Sequence, residues 1–142
     1  MIIIDTNLIS ELWKIEPNPR VLAWIDAQPI ETLYLSAITV AELGFGFATM
    51  PKGKRRTLYQ ERLERDVLPA FEGRILPFDL MAGQAYALLM GRAKAEGKAI
   101  ARADGYIAAI AAEHGFMMAT RDTSPFEAAG LTVINPWESG AD

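Results

Sequence analysis

Four carboxylates occupy positions from which chemistry could be done: Asp5, Glu42, Asp104 and Asp122. Asp5 ends a run of three isoleucines, and Asp122 comes just after the apolar stretch Phe116-Met117-Met118-Ala119. Glu42 falls in the first turns of a segment that Ser36 can cap, and Asp104 heads a stretch rich in alanine. In a parallel α/β sheet, strand ends and the helix starts that follow them share one edge, so these acids can converge although far apart in sequence. Crowded carboxylates raise one another's pKa unless a cation sits between them. With oxygen donors only, the expected ion is Mg²⁺ or Mn²⁺ rather than zinc or copper. Arg102 and Arg121 adjoin the acids in sequence, and either can hold a phosphate beside such an ion. Taken singly, each acid has an ordinary explanation: a turn or N-cap residue, a solvated helix residue, a helix-start acid, a cap for the following helix. The strand-then-acid pattern shared by Asp5 and Asp122 is what favours a site.

The elements that must position these acids alternate along the chain. Ile2-Ile3-Ile4 lacks polar alternation and reads as a strand buried on both faces. Thr6 and Asn7 can cap a helix from Leu8 to Trp13, and Pro19 opens a second short helix that Pro29 ends. Leu33-Tyr34-Leu35 reads as a strand, and the helix capped by Ser36 runs to about Met50. A long helix then points Leu58, Leu63, Val67, Leu68 and Phe71 inward, and a short strand at Ile75 stops at Pro77. Asp79 can cap another long helix, through Ala85, Leu88, Leu89 and Ala93 to Gly97. The alanine-rich helix closes at His114-Gly115; a strand, a short helix around Phe126 and a last strand at 131–134 follow. This order predicts an α/β fold of three layers, α/β/α, around a central parallel sheet. One domain over 1–142 is expected, with a loose tail from about 138.

Composition removes several classes of function. Hydrophobic residues make up 51% and charged residues 23%, as in an ordinary globular protein, and the net charge of -4 argues against indiscriminate binding to polyanions. There is no cysteine, which excludes disulfides, thiolate metal sites and thiol nucleophiles. The one histidine, His114, falls in the last turn of a helix, where the dipole favours a cation and a plain surface role. No glycine-rich dinucleotide loop or Walker-type lysine loop is present. Lys52, Lys54, Arg55, Arg56, Arg62 and Arg65 gather on or before one helix, as a solvated face or as a track for a phosphate backbone. No stretch is long enough to cross a bilayer, so a cytoplasmic location without membrane contact is expected.

Four segments, taken in order, resemble the successive signatures of the PIN domain: Ile3-Ile4-Asp5-Thr6-Asn7, Ser36-Ala37-Ile38-Thr39-Val40-Ala41-Glu42-Leu43, Ala103-Asp104-Gly105-Tyr106-Ile107-Ala108-Ala109 and Ala119-Thr120-Arg121-Asp122. More narrowly the chain is similar to the VapC toxins of type II toxin-antitoxin pairs, and within them to the FitB-like branch, which shares the Asn135-Pro136-Trp137 ending. The resemblance implies a Mg²⁺- or Mn²⁺-dependent endoribonuclease. Asp5 and Asp104 match metal ligands, Glu42 and Asp122 the other acidic positions, and Thr6, Asn7 and Thr120 the residues that support them. It also implies a cognate antitoxin that inhibits the enzyme and binds promoter DNA, and a homodimer that can join the antitoxin in a larger assembly. Part of a groove for that partner is expected from Leu12, Trp13, Leu22 and Trp24 with residues after Leu58. The competing expectation is a FitB-like co-repressor, a partner-binding module in a DNA-binding complex with little or no nuclease activity. For the nuclease, ion-activated water attacks the phosphate in line and leaves 5′-phosphate and 3′-hydroxyl ends.

Overall fold

A computed structural model describes residues 1–138; the tail expected to be loose lies largely outside the described residues. Five short parallel strands form one sheet in the order β3-β2-β1-β4-β5. They are β1 (Ile2–Ile4), β2 (Leu33–Ser36), β3 (Ile75–Leu76), β4 (Met117–Ala119) and β5 (Val133–Ile134). The helices are α1 (Thr6–Leu12), α2 (Pro19–Ala27), α3 (Ala37–Ala48), α4 (Lys54–Arg62), α5 (Leu68–Ala70), α6 (Leu80–Ala95), α7 (Arg102–His114) and α8 (Ser124–Ala128). The strand that opens the chain lies at the centre of the sheet. Ile2 pairs with Leu33 on one side and Met117 on the other.

The sheet separates two apolar layers, as the three-layer expectation requires. Ile2 and Ile4 face a cluster that includes Leu8, Val21, Leu43 and Phe71, while Ile3 faces the other with Leu89, Ile107, Met118 and Phe126. Alternate side chains of one strand thus feed opposite cores, and neither face is left for water. The alanines of α7 serve the second layer: Ala108, Ala109 and Ala111 are all buried, which lets the helix lie close to the sheet.

Several helix boundaries follow from capping chemistry. Ser36 accepts from the Thr39 N–H at 3.0 Å, Asp79 accepts from the Ala82 N–H at 2.9 Å, and Pro19 occupies the first turn of α2. At α1 the cap is Asp5, not Thr6 or Asn7, which fall inside the helix. One apolar assignment is corrected. Leu58 is 47% exposed. The inward stripe of the α4 region runs through Tyr59, Leu63, Val67 and Phe71 at steps of four, so Leu58 turns outward. A π-helical stretch, Leu63–Val67, joins α4 to α5 just before Pro69, which has no N–H and would crowd the carbonyl one turn earlier. In α6 the buried set is Ala82, Leu89 and Ala93. Of the early-helix residues expected in a partner groove, Leu12, Trp13 and Trp24 pack against the core, while Leu22 is 37% exposed. Among the described residues no helix is long and apolar enough to cross a membrane.

Candidate active site

The chain leaves β1 toward β2 and β3 on one side, then returns to β4 and β5 on the other. Such a reversal opens a crevice at the carboxyl edge of the sheet, where ligands bind in open α/β folds. Asp5 stands there. Its N–H donates to the Ala119 carbonyl at 3.0 Å, extending the β1–β4 ladder by one bond before the chain turns into α1.

Asp5 is 6% exposed and is oriented from both oxygens. Oδ1 accepts from the Thr6 N–H at 2.8 Å, and Oδ2 accepts from the Thr120 hydroxyl at 2.8 Å. Thr120 is fully buried and uses its whole hydrogen-bonding capacity. Its one proton goes to Asp5, and its oxygen accepts from the Asn7 amide at 3.2 Å and the Asp122 N–H at 3.1 Å. The Asn7 carbonyl in turn accepts from the Arg121 N–H at 3.4 Å. Asp122 is therefore placed by the turn after β4. It does not cap α8, whose N-cap is Thr123.

A second chain of hydroxyls places Glu42. The Thr6 hydroxyl donates to Glu42 Oε1 at 2.8 Å and lies 3.1 Å from the Thr39 hydroxyl, which Ser36 approaches at 3.3 Å. The cap of α3 and the first turn of α1 thereby meet at one carboxylate. Asp104 sits in the first turn of α7, where the helix dipole favours an anion.

Asp5, Glu42, Asp104 and Asp122 all line one cleft of about 460 Å³. Burial pushes the Asp5 carboxyl above its usual value; the Thr120 and Thr6 hydrogen bonds work against this, and Glu42 and Asp122 add repulsion. Asp104 is pushed up to about 6, first by burial and then by Asp5, Asp122 and Glu42. Among the described residues none of the four forms an ion pair. The donor set fits a hard divalent cation, since every candidate ligand is a carboxylate. No three of them are grouped closely enough to hold one ion among the described residues. Asp5 and Glu42 are held by their hydrogen bonds, whereas Asp104 accepts none among the described residues, so any closure on an ion falls first to Asp104.

The two expected arginines part company. Arg121 lines the cleft with its guanidinium 5.5 Å above the Trp137 ring, whereas Arg102, the first residue of α7, does not line it. His114 stands beside Glu113 and Phe116, away from the cleft. The cleft also contains Ser10, Glu11, Lys14 and Trp137, which sequence reasoning did not assign to it. A signal for three of them existed: Asn7, Ser10, Glu11 and Lys14 are spaced as one face of a helix.

An acidic cleft at the switch point of a five-stranded parallel sheet defines the class, and the chain belongs to the PIN-domain family, which it matches over residues 2–131. It is 72% identical over 138 residues to a protein of Sinorhizobium fredii named VapC ribonuclease Y4jK, covering 97% of this chain and 99% of that one. It is 53% identical over 137 residues to Toxin FitB of Neisseria gonorrhoeae, covering 96% and 99%. Among solved structures, FitAB bound to an IR36 DNA fragment superposes with a TM-score of 0.93 at 51% identity, over 97% of this chain and 96% of that one.

Proposed function

We propose that this protein is the toxin of a type II toxin-antitoxin pair, a Mg²⁺- or Mn²⁺-dependent endoribonuclease held in check by a DNA-binding antitoxin. The observation that carries this reading is the convergence in one cleft of four carboxylates without an ion-pair partner among the described residues, two of them with raised proton affinity. Such crowding is costly without a cation and useful with one. Asp5, Glu42, Asp104 and Asp122 would hold one or two ions, and an ion there supplies Lewis acidity that makes water a competent nucleophile at neutral pH.

The chain's own residues then have distinct tasks. Thr120 and the Thr6 N–H keep Asp5 in one orientation, and the Thr6 hydroxyl does the same for Glu42. Arg121 offers its guanidinium to charge building on the phosphate oxygens, steadied by the Trp137 face. No histidine base takes part, so the RNA 2′-hydroxyl is not consumed and the products carry 5′-phosphate and 3′-hydroxyl ends.

The test incubates purified, partner-free protein with total RNA, with and without Mn²⁺, and maps the ends. Cleavage that survives EDTA, or cyclic phosphate ends, overturns the mechanism. A second reading, the co-repressor with a dormant site, is favoured by the open spacing of the acids and by the DNA-bound complex of a relative. Well-folded protein supplied with Mn²⁺ that cuts no RNA decides for it. Promoter DNA is reached only through the antitoxin in either reading. Two copies of the chain pair in both, and sedimentation as a monomer at high micromolar concentration refutes that pairing.

A further inference from the structure

The cleft has one more cation besides Arg121. Lys14 lies just past the end of α1, lines the same cleft as the four acids, and keeps 58% of its side chain exposed. Its ammonium donates to Glu11 Oε1 at 2.9 Å. Glu11 is only 4% exposed, and its other oxygen accepts from the Asn18 N–H at 3.0 Å, at the cap of α2. The hydrogen bond from Lys14 first, then that from the Asn18 N–H, hold the Glu11 carboxyl below its usual range against its burial. Glu11 is therefore a fixed anion that cannot swing away, and it ties Lys14 to one place.

A lysine serving only to neutralise Glu11 would need no cleft. Here one of three ammonium protons is used on Glu11, and two remain for an acceptor that enters the cleft. Trp137 lines the same cleft, and its ring carries the other cation, Arg121. Lys14 and Arg121 are thus the two cations that line an otherwise acidic hollow among the described residues. A polyanion approaching four carboxylates is repelled, and fixed positive groups at the rim are what lets it enter.

Accepting the nuclease reading above, we propose that Lys14 binds a backbone phosphate of the single-stranded RNA substrate beside the scissile one, with Glu11 as the residue that positions it. Lys14 acts on binding of the strand rather than on its cleavage. Loss of one charge-assisted contact raises KM roughly tenfold with kcat little changed.

The experiment compares wild type, Lys14→Ala, Lys14→Arg and Glu11→Gln. Steady-state cleavage in Mn²⁺ is measured with a short labelled RNA, and binding of the same RNA in EDTA is followed across a salt series. Lys14→Ala is expected to raise KM, and to flatten log Kd against log salt by about 0.7, one phosphate contact on a single strand. Lys14→Arg restores most of the affinity. Glu11→Gln keeps an acceptor for Asn18 yet loses the charge that holds Lys14, so KM rises while Lys14 is still present. Lys14→Ala leaves the buried Glu11 carboxylate without its ammonium and is expected to melt lower, so cleavage and binding are read well below that temperature, and Lys14→Arg, which keeps the pair, controls for the lost stability. Unchanged KM and salt slope in Lys14→Ala, or a fall in kcat alone, overturns the proposal while leaving the nuclease reading intact. Wild type that neither cuts nor binds RNA removes both.

Discussion

Replacing Asp104 by Asn removes one charge from the crowded cleft and should make the metal-free protein more stable. The Asp104 carboxyl is raised from 3.8 to about 6, and that shift corresponds to about 3 kcal/mol of penalty on the charged form. Asp104 is only half-buried, so water screens part of this and about 1–2 kcal/mol is the fairer figure. The α7 dipole, which favours an anion in the first turn, returns about 0.3–1 kcal/mol to the wild type. Asp104 accepts no hydrogen bond among the described residues, so the amide forfeits none there. The net gain is about 1 kcal/mol, or a rise in Tm of about 3–5 °C for a chain of this size. The sign fixes the pH window. A carboxyl whose folded pKa lies above its unfolded one costs stability once it is charged, fully above about 6 and not at all well below 3.8. Thermal melts in EDTA at pH 8, 6, 5 and 3.5 should therefore show the variant's advantage shrinking as the pH falls. Added Mn²⁺ should raise the wild type more than the variant and close the gap at pH 8. A variant no more stable at pH 8, or one whose advantage persists at pH 3.5, would refute the repulsion argument.

Three further outcomes are expected. Thr120→Val keeps the shape but leaves Asp5, Asn7 and the Asp122 N–H without their common partner; urea unfolding should show a loss of about 1–3 kcal/mol, largely recovered in Thr120→Ser. Glu42→Gln retains an acceptor for the Thr6 hydroxyl on an exposed side chain; stability should change by less than about 0.5 kcal/mol while Mn²⁺-dependent cleavage is lost, and full cleavage would remove Glu42 from the site. Gly105→Ala puts a Cβ 2.9 Å from Met90 Sδ and 3.0 Å from Tyr86 Cε2, prising α6 from α7; a calorimetric loss of about 1–3 kcal/mol is expected, and none at all would mean that the flexible Met90 simply moves aside.

What could be read from the sequence was what local chemistry determines. The isoleucine run followed by Asp5, the caps at Ser36 and Asp79, and Pro19 at the start of α2 each depend on neighbouring residues, and each stands as expected. The gathering of the four acids followed from one topological rule about strand ends. The failures share a different cause. Asp5, Thr6 and Asn7 are all short polar residues able to cap α1, and local chemistry does not choose among them; the structure caps with Asp5, whose other oxygen is held by Thr120, more than a hundred positions away. Leu58 is apolar at nearly the right phase, but one residue of rotation places it outside, and no periodicity count resolves that. Adjacency to an acid points to Arg102, whereas the cleft is lined along α1 and just beyond it by Ser10, Glu11 and Lys14.

The central place of β1 has a consequence for synthesis. Asp5 is among the first residues made, yet the groups that orient it, Thr120 and the ladder bond to Ala119, are among the later ones. Contacts of such long sequence separation form late, after local helices and the β1–β2 pair are available. A polypeptide released before residue 120 would possess Asp5 and Glu42 but no β4 to stand beside β1, and so no completed cleft. On the nuclease reading, truncated products of a stalled ribosome would then lack a completed site, and the chain becomes able to act only once β4 has joined the sheet.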